Sequence, residues 1–299
     1  MIHRAVCISF KRERKGISMK RFPQLAVPYI VWCVLMLFLP MLLIFFYAVT
    51  NQGNSVVSFT LTLQHFHKFF TDPDFLLVLW RSLAIAVKTT IVCVLIGYPV
   101  AYFIANSSDA VRNRLIIAIT LPMWINMLVR TYAWIGILSD GGILQTFLSS
   151  LGFGEVKLMY TEGAVMLGMI YNFIPFMILQ INTSLCKMDR SLIEASADLG
   201  ANGVQTFFRV ILPLSLPGVV SGITLVFLPA VSSFFIPKLL GGGQFFLVGN
   251  LIENQFITVG EWNFGSAISV IMAAIMMLSM YLVRRLDRDG TQERRVTGV

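Results

Sequence analysis

Apolar residues gather in long, nearly uncharged runs, and six of these runs reach the ~20 residues that a helix needs to cross a hydrocarbon layer about 30 Å thick. They fall at 25–49, 83–105, 115–138, 163–186, 218–240 and 265–285. The pattern predicts an all-α membrane protein with six transmembrane helices. Prolines fall inside the runs (Pro40, Pro99, Pro122, Pro175, Pro229, Pro237). Membrane helices tolerate them only where neighbouring helices, side chains or water take up the freed backbone groups.

Between the fourth and fifth runs lies a charged, glycine-punctuated stretch, SLIEASADLGANGVQTFFRVILP, at 191–213. Ser191 to Glu194 reads as a capping box, with the serine oxygen and the glutamate three residues on satisfying free N–H groups at a helix start. Gly200 ends that helix, because a left-handed turn costs glycine nothing. A second short helix starts at Asn202, with Gln205 at its third position, and is expected to stop before Pro213.

Composition agrees with the pattern. The chain is 57% hydrophobic and 13% charged, with a mean hydropathy of +0.77, whereas soluble domains carry about 25% charged residues. A net charge of +8 invites a nucleic-acid reading, but the basic residues collect at the chain ends and in short loops, as membrane topology demands. No nucleic-acid partner is expected.

The basic residues also orient the chain. Seventeen lie in the first tail, in 106–114 (Arg112, Arg114), in 187–217 (Lys187, Arg190, Arg209) and from the end of the sixth run onward (Arg284, Arg285, Arg288, Arg294, Arg295); three (Lys68, Arg81, Lys157) lie in the alternate loops. The positive-inside rule puts both termini in the cytoplasm. The expected division is a cytoplasmic tail at 1–24, a transmembrane domain at 25–286 that contains the loop 187–217, and a cytoplasmic tail at 287–299. The first apolar run is too long for a signal peptide and lacks a small-residue cleavage site, so it reads as an anchor. Met19 opens a conventional-looking start, which makes 1–18 a dispensable tail in this reading.

The outer loops carry more acids than bases, and no acid lies inside an expected span. Lys88, Arg130 and Lys238 do lie inside. Lys88 and Lys238 are expected to reach up to the headgroups; Arg130, deeper, is a candidate for a role within the bundle.

Chemistry on the chain itself is sparse. The phosphate-cradling pattern Gly-x-x-x-x-Gly-Lys-Ser/Thr does not occur, so any ATP hydrolysis belongs to another subunit. Cys7, Cys33, Cys93 and Cys186 have no Cys-x-x-Cys spacing and predict neither disulfide nor zinc site. His65 and His67 read as part of an interfacial amphipathic segment with Phe66, Phe69 and Phe70 rather than as metal ligands. Trp124, Tyr132, Trp134, Tyr171, Asn172, Glu253 and Trp262, together with Arg130, form the candidate solute route. Their tryptophan and tyrosine faces attract ammonium groups, and no buried fixed anion would trap a cation there.

The stretch Glu194-Ala195-Ser196, Gly200, Val210, Leu212-Pro213 resembles the "EAA" loop of bacterial ABC-importer permeases, with Ser196 in place of the second alanine and Val210 in place of isoleucine. The resemblance implies a type I importer-permease fold in which this loop docks on a cytoplasmic ATPase, with Glu194, Ala195, Asp198, Gly200, Val204 and Phe207 as the coupling residues. Over most of 20–286 the chain is also similar to polyamine-importer permeases, through Leu121-Pro122-Met123-Trp124, Leu128-Val129-Arg130-Thr131-Tyr132-Ala133-Trp134, Phe173-Ile174-Pro175-Phe176, Leu239-Leu240-Gly241-Gly242 with Gly249-Asn250, and Trp262-Asn263-Phe264-Gly265-Ser266. Asn263 stands where that family often has proline. This similarity implies a complex in the bacterial inner membrane of two permease chains, two ATPases holding ATP and Mg, and an extracytoplasmic binding protein that delivers spermidine or putrescine. The alternatives are an ABC permease for another small solute, and a secondary transporter working alone. The lack of acids within the spans counts against the latter.

Overall fold

The computed structural model describes residues 22–52, 59–152, 157–189 and 191–296. The expected N-terminal tail up to residue 21, Arg190 and the last three residues lie outside them. Five helices are long and apolar enough to cross a membrane: Val27–Ala48, Pro73–Ala105, Glu162–Cys186, Gly203–Ser232 and Trp262–Val283. Asp109–Trp124 and Met127–Ser150, bent by 92° where they meet, make a sixth when counted as one span.

The first, fourth and sixth spans stand where run length puts them. The sixth belongs to a longer helix, Trp262–Val296, which continues into the segment expected as the C-terminal tail. The second begins earlier than expected, at Pro73, where proline suits the first helical turn and the Asp72 carboxylate accepts the Asp74 N–H at 3.0 Å.

The third is not the continuous helix expected at 115–138. Pro122, which has no N–H to give, sits in a single 3-10 turn, Leu121–Trp124, followed by an extended Ile125. Asn126 then caps a new helix, its Oδ1 accepting the Leu128 N–H at 2.8 Å.

The fifth span departs in the opposite sense. The helix expected to stop before Pro213 runs on from Gly203 to Ser232. A wide π turn, Phe207–Ile211, precedes Pro213 and opens the ladder where the ring would otherwise meet a carbonyl. This span therefore lies closer to 203 than the expected 218–240, and its far end breaks at Ser233 and Phe234 before the short helix Phe235–Leu240. At the break the Phe234 carbonyl accepts both the Lys238 N–H at 3.0 Å and Asn250 Nδ2 at 2.8 Å.

The core is the contact among the second, fourth and fifth spans. Ile85, Met169, Met177, Ile181 and Val226 are fully buried there. The fifth span crosses the fourth on Gly218 and Gly222, a small-x-x-x-small spacing that lets backbones approach. A Cβ at 218 would lie 2.4 Å from Ser184 Cβ and 2.9 Å from the Gln180 carbonyl, and one at 222 would lie 2.5 Å from Met177 Sδ. The first span buries 0% of its most apolar window within the chain and lies along the last helix.

A feature absent from the all-α expectation is a small antiparallel ribbon, Thr50–Gln52 with Phe59–Leu61. Asn263 ties it to the last helix, donating from Nδ2 to the carbonyls of Thr50 at 2.6 Å and Tyr47 at 3.1 Å. Next to the ribbon, Gln64–Thr71 is helical as the amphipathic reading expects, but Phe69 is fully buried and stacks on Phe75 at 6.1 Å. His67 Nδ1 meets Thr71 Oγ1 at 3.2 Å. Among the described residues no cluster of three or more metal-ligating side chains is found.

Candidate functional site

At one end of the bundle, residues 191–211 fold as a tight helical hairpin. Its first helix, Ser191–Asp198, is not opened by Ser191 as expected. Ser191 is already helical, and the Asp189 carboxylate accepts its N–H at 3.0 Å. The Ser191 backbone and hydroxyl hydrogen bonds hold the Asp189 carboxyl below the usual carboxylate range. The helix ends at Gly200, with φ at +80°. The Ala201 N–H reaches the Ser196 carbonyl at 3.1 Å and the Gly200 N–H the Ala197 carbonyl at 2.9 Å, the paired closure of a Schellman turn. The second helix has the expected capping box: Asn202 Oδ1 accepts the Gln205 N–H at 2.9 Å and Gln205 Oε1 accepts the Asn202 N–H at 3.0 Å.

Two buried hydroxyls, Ser196 Oγ and Thr206 Oγ1, meet at 2.7 Å between the two helices. The serine that departs from the EAA pattern thus pins the hairpin shut. Of the six coupling residues inferred from the resemblance, Glu194, Ala195, Asp198, Gly200 and Val204 are exposed. With Leu199, 89% exposed, and Phe208 they give the hairpin an apolar, acid-flanked outer surface. Phe207 turns inward. Its ring stands edge-on to Tyr98 at 5.7 Å and Tyr102 at 5.8 Å on the second span.

The candidate route residues divide. Trp134 and Tyr171 pack edge to face at 5.4 Å, and the Arg130 guanidinium lies 6.0 Å from the Tyr171 ring centre. Asn172, beside them in sequence, is buried and gives its Nδ2 to the Gly168 carbonyl at 2.8 Å. Trp124, at the bend, is 87% exposed, and Tyr132 is exposed as well. Glu253 and Trp262 stand in other company. Trp262 lies 5.7 Å from Phe256 and 6.4 Å from Tyr47, and the Glu253 carboxylate, 20% exposed, is bound by Lys238.

The two lysines expected to reach the headgroups, Lys88 and Lys238, and also Lys68, have carboxylate partners. Lys238 meets Glu253 at 2.5 Å, Lys88 meets Glu162 at 2.6 Å, and Lys68 meets Glu261 at 3.7 Å. The members of each pair come from different stretches of the chain, and the signal in the sequence was the mixture of lysines and carboxylates on one side of the spans. Arg130 is different: among the described residues its buried Nε and Nη1 have no acceptor.

A helical bundle broken at its third and fifth spans, with a capped hairpin leading straight into the fifth, is the architecture of a type I ABC-importer permease. The chain belongs to the family described as "Binding-protein-dependent transport system inner membrane component", whose model matches residues 94–290. It is 37% identical over 272 residues to the spermidine/putrescine transport system permease protein PotB of Haemophilus influenzae, covering 90% of this chain and 95% of that one. PotB of Escherichia coli K12 is 37% identical over 265 residues, covering 88% and 96%. A permease in the crystal structure of a bacterial alginate ABC transporter shares the fold at a TM-score of 0.75, with 15% identity over 89% of this chain and 93% of that one. The protein is therefore a membrane-spanning importer permease, the kind of subunit that works with a substrate-binding protein and an ATPase.

Proposed function

We propose that this permease forms the route for a polyamine, spermidine or putrescine, in an assembly of two permease chains, two ATPases that bind and hydrolyse ATP with Mg, and one binding protein. Both termini and the hairpin face the cytoplasm in this reading. The solute class is supported by likeness to spermidine/putrescine permeases over 90% of the chain. The observation that carries the coupling is the hairpin itself, pinned by Ser196 and Thr206 and continuous with the fifth span. Its exposed Glu194, Asp198, Leu199 and Val204 offer the ATPase an apolar patch edged with acid, and displacing it moves a core helix directly.

The paired lysines support the solute reading, because a polycation meets three neutralised pairs in place of three bare ammonium groups. Aromatic faces at Trp134 and Tyr171 each contribute about 0.5–2 kcal/mol toward an ammonium group, enough to guide it without trapping it. One observation favours a second reading, import of a small anion: the acceptor-free Nε and Nη1 of Arg130.

Proteoliposomes containing the complete complex distinguish the two. Binding protein loaded with spermidine or putrescine raises ATP hydrolysis, and Trp134→Ala or Tyr171→Ala slows uptake more than it slows hydrolysis. Stimulation by an anion-loaded binding protein with no response to polyamines overturns the polyamine assignment and makes Arg130 the leading route residue. Orientation is read separately in intact cells: Thr146→Cys and Gly243→Cys react with an impermeant thiol reagent, and Asn202→Cys does not.

A further inference from the structure

The hairpin is joined to the bundle at a second place, on the second span. Tyr98, 8% exposed, approaches Ser215 Oγ at 2.8 Å, and Ser215, 1% exposed, also lies 2.9 Å from the Leu212 carbonyl. A serine hydroxyl has one proton, and the carbonyl can only accept, so Ser215 donates to Leu212 and Tyr98 donates to Ser215. Phe207 completes the contact from the hairpin side, its ring edge-on to both Tyr98 and Tyr102, which are one helical turn apart.

Both helices are loosened here. Pro99 follows Tyr98 inside the second span, and the fifth carries the π turn Phe207–Ile211 and Pro213. Proline removes a ladder hydrogen bond and π turns widen the helix, so each span bends most easily at these points. Two pliant points that face each other would flex independently without a tie between them.

We propose that Tyr98, Ser215 and Phe207 form a clasp that makes the second and fifth spans bend together when the hairpin is displaced, with Tyr98 and Ser215 as positioning residues for transport. This rests on the reading of the hairpin as the ATPase contact. The clasp sets how much transport each ATP yields.

The test uses the full complex with its binding protein in proteoliposomes, measuring polyamine uptake and phosphate release together. Tyr98→Phe keeps the ring and removes the donor; Ser215→Ala removes the acceptor. Each lowers uptake per ATP about three- to tenfold, and the double variant is no worse than the weaker single, since both delete one interaction. Phe207→Leu, which keeps bulk and loses the edge-on ring contacts, lowers the ratio as well. A role confined to folding would reduce the amount of complex and leave the ratio alone. A coupled wild type with an unchanged ratio in Tyr98→Phe and Ser215→Ala overturns the clasp. A wild type that shows no ATP-driven polyamine uptake overturns the polyamine assignment instead, and the ratio is then read with the anion-loaded binding protein.

Discussion

The hairpin end of the molecule and the opposite end are held by different forces. At the hairpin end the ties between helices are neutral and short-ranged: a serine–threonine pair, a tyrosine–serine pair, edge-on rings and a Schellman turn; the Arg112–Asp109 ion pair there lies within a single helix. At the other end three lysines meet three carboxylates, with each lysine side chain half exposed or more. Neutral directional contacts fix geometry and do not weaken with salt. Exposed ion pairs are screened and exchange partners at little cost. Under the proposed function, the end that transmits a displacement holds its shape and the end that meets the solute lets charges rearrange.

This contrast is broken most severely where the fourth and fifth spans cross near the hairpin. Gly218→Leu drives a side chain into Ser184 and the Gln180 carbonyl, and a backbone carbonyl cannot move aside. The expected cost is about 3 kcal/mol, at the upper end of overpacking, seen as loss of folded permease on size-exclusion chromatography. Gly200→Val is milder and more selective. Nothing surrounds its Cβ position, so the penalty is that of the left-handed backbone alone, about 1–2 kcal/mol. Membrane insertion survives; uptake falls roughly 5- to 30-fold by the same energy, with the ATPase less firmly retained on purification. Normal uptake with normal retention would remove the hairpin from the mechanism.

At the opposite end the changes are small. Lys88→Gln with Glu162→Gln shifts stability by no more than about 0.2–1 kcal/mol, and moderate salt acting on the native pair does the same. A loss on the scale of Gly218→Leu would mean that the charge pairs are structural and that the contrast is false.

Most of the architecture was legible because the bilayer imposes run length, and run length is a property of sequence alone. What misled was proline. Pro122 was expected within a span and marks its break; Pro213 was expected to stop a helix and is carried through. The residue loosens the hydrogen-bond ladder in both cases, and packing that the sequence does not display decides whether the helix bends or continues. Gly200, Asn202 and Gln205 could be read because their chemistry acts within four residues. The Ser196–Thr206 pin could not, since it requires the angle between two helices; the one available signal was a serine where the pattern has alanine. Glu253 and Trp262 were grouped with Trp134 and Tyr171 by side-chain type, and type does not give distance.

The unbroken helix from Gly203 to Ser232 has a mechanical consequence. Beyond the pliant π turn, the 21 residues Leu212–Ser232 make a rod of ~31 Å at 1.5 Å per residue, so a tilt of roughly 5° about the turn displaces its far tip by ~3 Å. That tip is Ser232, and just beyond it the Asn250 amide holds the Phe234 carbonyl. A small rotation at the hairpin is thereby geared up into a shift of ångström scale at the far end, where the helix breaks at Ser233 and Phe234.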